Sequence, residues 1–352
     1  MKRIISLVLC ITLCLFAFGC TNGTLPETPD EKNAQDANQP AQDAPETDKE
    51  EPSEALSEIN VGALKGPTAM GLVKLMDDSD KGNTGSNKYT FSIAASPDEI
   101  VPLLVKGDLD MAAVPANLAS VLYNNTKGKV CVVAINTLGV LYIVENGDSV
   151  KTVSDLKGKT IYSSGKGSTP EYALNYMLSS NGIDPEKDVT IEYKAEHSEC
   201  VAAISAVENG IAMLPQPFVT TAQMANDKIR IALDLTKEWE NASDCTLITG
   251  VMAASTDFVK QNPKAVKLFL EQYRSSVDYV NANNAEAAKL IENYGIVKAA
   301  VAEKALPYCN ITCITGTDMK EQLASYIDVL CTQNPSAVGG EKPSDDFYSV
   351  GQ

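Results

Sequence analysis

Gly210–Ala222 reads GIAMLPQPFVTTA, and the parsing of this stretch decides the fold. Ile211 to Leu214 is a run of four apolar residues with no polar face, the mark of a short buried strand. Pro215 and Pro217 stop it abruptly, because proline donates no backbone N–H and disfavours helix in the residue before it. Phe218 then opens a helix-like run. The two prolines hold Gln216 at the strand's carboxyl end as a neutral donor and acceptor, at small entropic cost.

The same unit recurs in both directions along the chain. Lys159–Tyr162, Val189–Tyr193 and Ile229–Ala232 read as strands, with helices at Pro170–Leu178, Cys200–Val207 and Phe218–Ala225. An earlier set places strands at Ile59–Leu64, Tyr89–Ala94, Asp110–Val114 and Val130–Ile135, with helices at Thr68–Met76, Pro97–Val105 and Ala116–Tyr123. Such alternation argues for mainly parallel sheets flanked by helices. Leu141–Val144 leads away from the first set, and the apolar run Leu247–Ala253 leads back. Only helices follow: Pro263–Val280, Ala285–Tyr294, Val297–Ala305 and Asp318–Leu330. The expected fold class is therefore α/β in two lobes joined by two extended crossovers. Lobe 1 spans 59–143 plus 250–352, and lobe 2 spans 144–249.

The amino-terminal segment is of another kind. Lys2 and Arg3 precede an uncharged apolar stretch, Ile4–Phe18, closed by Gly19-Cys20. This pattern is a secretory signal peptide over 1–19. A small residue before cysteine resembles the lipobox of bacterial lipoproteins, which implies cleavage before Cys20 and a lipid on its sulfur; ordinary cleavage with release is the alternative. Residues 20–58 hold no aromatic residue, five prolines, and eleven acids against Lys32 and Lys49, the composition of an extended, disordered tether. Part of the chain's net charge of −17 belongs to this tether. The rest of the chain is acidic too, which argues against nucleic acid or an anionic membrane surface as partner. Six cysteines remain beyond the tether, an even number that permits disulfides outside the cell. Cys309 and Cys313 are close enough in sequence to pair, and the residues leave that question open. No second Cys or His pair stands near them, so no zinc site is expected.

Polar and turn-forming residues gather at strand carboxyl ends, where open parallel sheets hold ligands. Lys65-Gly66-Pro67-Thr68-Ala69-Met70 follows the first strand of lobe 1, and Gly165-Lys166-Gly167-Ser168-Thr169-Pro170 follows the first strand of lobe 2. Each offers glycine for the turn, a hydroxyl residue at the cap, and proline near the first helical position. Thr169 fits as N-cap and Pro170 as the first helical residue. Such helix ends present free N–H groups and a positive dipole. Ala116-Asn117 and Asn136-Thr137-Leu138 occupy equivalent ends in lobe 1, as Gln216 does in lobe 2.

Several stretches resemble, in order, the solute-binding proteins of ABC importers for alkanesulfonates, taurine, nitrate and thiamine-pyrimidine precursors. They are INVGALKGPTAMGLVKLM, VKGDLDMAAVPANLAS, VSDLKGKTIYSSGKGSTPEYAL, ENGIAMLPQPFVTTA, KEWENASDCTLITGVMAAS and the helical stretch from Asn262 to Ile296. The resemblance covers about residues 59–350 and implies a type II periplasmic-binding-protein fold whose lobes close on a ligand. It implies a small-molecule ligand, ABC permease subunits as partners, no cofactor, a monomer, and a place on the outer face of the bacterial membrane, held by the Cys20 lipid. Gln216 stands where several members of that family carry glutamate, and no arginine lies on a rim turn, so a bidentate clamp on a carboxylate or sulfonate is not expected. Backbone N–H groups with Thr68, Ser168 and Thr169, and the charge of Lys65 or Lys166, leave an anion such as a sulfonate open, and a small neutral or zwitterionic heterocycle fits at least as well. Tyr172 and Trp239 are candidate stacking residues, as are Tyr123 and Tyr162. Enzymes of this fold build thiamine pyrimidine or act in menaquinone synthesis. Here the one histidine, His197, opens a lobe 2 helix near the crevice, with no carboxylate partner or serine nucleophile at recognisable spacing, so no reaction is assembled. A sensory subunit for a receptor is the third reading.

Overall fold

The computed structural model describes residues 57–351; the signal peptide, Cys20 and nearly all of the tether lie outside them. Six strands form the first sheet: β1 (Ser57–Leu64), β2 (Asn87–Ala94), β3 (Met111–Pro115), β4 (Val130–Leu138), and, later in the chain, Ile248–Ser255 and Ile311–Ile314. Between them the chain builds the second sheet from β5 (Leu141–Asn146), β6 (Thr160–Ser163), β7 (Thr190–Tyr193), β8 (Ile211–Pro215) and β9 (Ile229–Asp234). The two late strands of the first sheet are thus β10 and β11. Spatial order is β11-β4-β10-β3-β1-β2 in one sheet and β7-β6-β8-β5-β9 in the other. Helices cover both faces, giving the two-lobed type II architecture that the sequence leads one to expect.

Strand direction follows from the cleft. β1, β2 and β3 run parallel, as do β6, β7 and β8, and their carboxyl ends point toward the gap between the lobes. A strand that enters a lobe from the crossover must begin at that gap and run away from it. β5 is accordingly antiparallel to β8 and β9, and β10 is antiparallel to β3 and β4. Leu141 to Ile143 therefore pair within the second sheet, and the change of sheet falls at Gly139-Val140 instead of after residue 143. β1 likewise starts at Ser57, inside the expected tether.

Among the elements that escape the sequence pattern are a helix and an edge strand. Leu235–Ala242 is a helix capped by Asp234, whose carboxylate accepts from the Thr236 N–H at 3.0 Å. β11 is a four-residue strand at the sheet edge, in a region that reads as helices only. All six cysteines of the described residues are free. Cys309 directs its thiol to Ala305 O at 3.2 Å, and burial pushes it up to about 12, so it is an inert core group.

The crossovers are built tightly. Gly139 N–H donates to Leu247 O at 2.8 Å, tying one connection to the other. Gly139 has φ +58°, and a Cβ there would collide with Thr236 Oγ1. Val140 follows at φ +69°, a left-handed conformation that costs a β-branched residue about 1–3 kcal/mol. Its carbonyl accepts from Gln216 N–H at 3.0 Å, which anchors the strand end of the proline motif to the hinge. The Gln216–Pro217 peptide is cis.

A single buried carboxylate organises the outer end of β5. Glu145 is fully buried and accepts from Ser149 N–H at 2.8 Å and Val150 N–H at 3.0 Å, while Arg230 Nη2 stands 2.6 Å from it. Burial alone would raise its pKa; the Ser149 hydroxyl, the two N–H groups and Arg230 together hold it below the usual carboxylate range. Arg230→Ala should destabilise the protein by roughly 2–3 kcal/mol, less than the ~3–5 kcal/mol of a sealed pair because Arg230 reaches solvent. Urea denaturation measures this, and a loss below about 0.5 kcal/mol would show that the N–H groups suffice on their own.

Candidate functional site

The strand ends meet at one cavity of about 130 Å³ between the lobes. Lobe 1 contributes the β1 turn (Leu64, Lys65, Pro67 and Thr68), Ala95 and Pro97 after β2, Pro115 ending β3, and Thr137 on β4. Lobe 2 contributes Ser164, Gly165, Ser168 and Pro170 after β6, Ala195 to His197 after β7, and Pro215 ending β8. Val140, Leu141 and Thr249 close the floor where the crossovers pass. Carboxyl ends of strands from both sheets thus wall one space, the placement expected of open α/β sheets.

Of the residues singled out in the sequence, Lys65, Pro67, Thr68, Thr137 and Ser168 line the cavity, together with Gly165, Pro170, His197 and Pro215. The others lie around or beneath it. Gly66 is the turn residue itself, at φ +127°. Ala69, Met70 and Ala116 are buried in the cores, and Leu138 packs against one. Asn117 is fully buried and spends its amide on Ala337 O at 3.1 Å and on Gly167 O at 3.3 Å, across the lobes. Thr169 donates to Asn117 Oδ1 at 3.2 Å, so these two polar residues bolt the lobes together. Asn136 is sealed behind Thr137, and its Nδ2 has no partner among the described residues. Gln216 turns its Oε1 to Thr220, accepting from Oγ1 at 2.9 Å and from N–H at 3.3 Å, and so holds the start of the helix Phe218–Ala225. Tyr172 is half-buried beside the core. Trp239 is buried at the hinge between Tyr176 and Tyr326, at ring distances of 4.5 and 5.4 Å. No aromatic side chain other than His197 lines the cavity among the described residues, so the stacking expected of Tyr123, Tyr162, Tyr172 and Trp239 does not arise at its wall.

The turn before the helix Thr169–Ser180 also differs in detail. Ser168, not Thr169, is the N-cap, and its hydroxyl donates back to Gly165 O at 2.7 Å. Glu171 folds over the helix end and accepts the Gly167 N–H. In the other turn Gly66 is the N-cap, and the Thr68 hydroxyl donates to Leu64 O at 2.9 Å.

Ser164 is the candidate that motif reasoning passes over, while His197, placed near the crevice by the sequence, lines the cavity. His197 Nδ1 is hydrogen-bonded to Ser164 Oγ, and its ring packs on Phe218 at 4.9 Å. Desolvation pushes the imidazole down to about 4, so it is neutral at physiological pH. The signal for it in the sequence is a lone histidine opening a helix just after a lobe 2 strand.

The cleft floor depends on Gly250. A Cβ there would lie 2.7 Å from Thr68 Cγ2 and closer still to Asn136 Oδ1, so glycine lets the turn sit down on β10. Gly250→Ala should displace Thr68 and cost about 1–3 kcal/mol of stability by overpacking, read from the thermal midpoint.

The geometry is that of a two-lobed periplasmic-binding-protein fold of type II, with a cleft at its hinge. The NMT1/THI5-like family model matches residues 94–287, more than half of the chain, and the chain belongs to that family. No curated protein sequence matches it. Among solved structures it is similar to an ABC transporter protein from Parabacteroides distasonis, at 24% identity and TM-score 0.69, over 82% of this chain and 98% of that one. The alkanesulfonate-binding protein SsuA of Xanthomonas axonopodis pv. citri, bound to MOPS, follows at 16% identity and TM-score 0.66, over 82% and 96%. The periplasmic aliphatic sulphonate binding protein SsuA of Escherichia coli gives 16% and 0.65, over 84% and 94%. At these identities the likeness is one of fold.

Because the folded state disfavours protonated His197 while the unfolded chain titrates near 6.5, the fold loses stability as pH falls from about 6.5 toward 4 and is unaffected by this group above that window. His197→Gln should flatten that part of the stability–pH curve. An unchanged slope in chemical denaturation at matched pH values would show the imidazole to be solvated.

Proposed function

We propose that this protein is the substrate-binding lipoprotein of an ABC importer, capturing a small organic solute between two closing lobes and passing it unchanged to a permease. The observation that carries the reading is a cavity walled by strand carboxyl ends of both sheets, at the crossovers about which the lobes can rotate. The architecture shared with sulfonate-binding proteins of importers supports it. The amino-terminal sequence supports the rest: a signal peptide over 1–19, a lipid on Cys20, and a tether that lets the body reach the permease as a monomer at the outer membrane face. The closing bodies in this reading are residues 57–139 with 248–351, and residues 140–247. The ligand-facing residues are Lys65, Pro67, Thr68, Thr137, Ser164, Ser168 and His197, while Asn117 and Thr169 set the approach of the lobes.

A thermal-shift screen over sulfonates, pyrimidines, aromatic acids and small amines tests this, since a ligand of the folded state raises the midpoint by mass action. Mass spectrometry of the released compound should return it chemically unchanged, and Ser168→Ala should weaken the best hit by roughly three- to tenfold. A converted product would overturn the transport reading in favour of an enzyme.

A further inference from the structure

Four of the five hydroxyl groups of the cavity wall have already committed their protons; the fifth, Ser164, is paired with His197, and that pair keeps one donor for a solute. Thr68 donates to Leu64 O at 2.9 Å, Ser168 to Gly165 O at 2.7 Å, and Thr249 to Thr137 O at 3.3 Å. Thr137 donates to Asn136 Oδ1 at 3.1 Å. A hydroxyl has one proton and two lone pairs, so what each can still offer a solute is an acceptor. Three of the four bonds end on backbone carbonyls, which cannot exchange roles. The same wall holds no arginine among the described residues, and its two ionised side chains, Lys65 and Glu196, stand exposed at the mouth on opposite lobes with opposite sign. Beside them, the helix end that would attract an anion is occupied by this chain's own Glu171.

A cavity whose acceptors outnumber its donors, without net charge, suits a particular chemistry. A sulfonate or carboxylate would give up its hydration and meet mostly lone pairs, with the one donor of the Ser164–His197 pair to set against them, a largely uncompensated desolvation. A solute with N–H or O–H donors would find partners for them, and Pro67, Pro97, Pro115, Pro170 and Pro215 would receive its apolar body. We propose that this cleft takes a compact solute that donates hydrogen bonds from amide, amine or hydroxyl groups, and that it excludes solutes carrying an oxyanion into the cavity. The inference rests on the solute-binding reading above and adds to it the chemical class of the ligand.

Matched pairs of probes test it: propane-1-sulfonamide against propane-1-sulfonate, and propanamide against propanoate, titrated into the wild-type protein by calorimetry and thermal shift at neutral pH. The neutral, donating member of each pair should bind at least tenfold more tightly than its anion. Thr68→Val and, independently, Thr249→Val each remove one acceptor without changing shape, and each should lower affinity for the donating member by roughly three- to tenfold while leaving the anion where it was. Equal binding within a pair, tighter binding of the anion, or donor affinity untouched in both variants overturns the assignment of ligand class while leaving solute binding intact. If no member of either pair binds, and no compound in the wider screen does, the binding reading itself fails and this inference with it.

Discussion

The bond from Gly139 N–H to Leu247 O joins the two connections through which the lobes are linked, and much of the architecture is arranged around it. Each connection must leave one sheet at the cleft and enter the other at the cleft. That condition reverses β5 in the second sheet and β10 in the first, since an incoming strand begins where its neighbours end. It also places Gly139 and Val140 in left-handed backbone, where the chain turns from one sheet to the next in two residues. Gln216 is tied to the same point through its N–H, so the proline motif, the hinge and the ligand cavity share one set of backbone bonds.

The lobes are more closely joined than two bodies on a flexible strap. Asn117 and Thr169 bond across the gap, and one apolar cluster runs from Leu174 and Met177 of lobe 2 through Trp239 to Tyr326 and Ile327 of lobe 1. A continuous packed core resists gradual deformation and favours discrete arrangements. The bond between Thr169 and Asn117 adds a polar tie across the gap beside that core.

The alternation of strands and helices was legible because apolar runs such as IAMLP and VCVVAI are uninterrupted, and because proline and glycine punctuate their ends. The mainly parallel direction followed from that alternation, but the reversal of β5 and β10 was not legible, for a run of four apolar residues reads the same in a parallel or antiparallel neighbourhood. β11 was hidden because ITCI, between Asn310 and Thr315, is too short to show a period. At the site, the sequence located the rim but could not tell which polar residues face outward. Asn117 and Thr169 look like ligand contacts by position, yet they bond to each other across the lobes, and the Gln216 carbonyl oxygen is taken by Thr220. Ser164 went unnoticed since a serine after a strand is ordinary, and its importance comes from His197, over thirty residues away.

Trp239 is the sole tryptophan, and it sits between Tyr176 of one lobe and Tyr326 of the other. Its indole is shielded from water and packed against a phenol from each lobe. The molecule consequently carries an intrinsic optical probe where the lobes adjoin: light emitted on excitation of that ring comes from a single place, and its colour and polarisation follow the spacing of the neighbouring phenols.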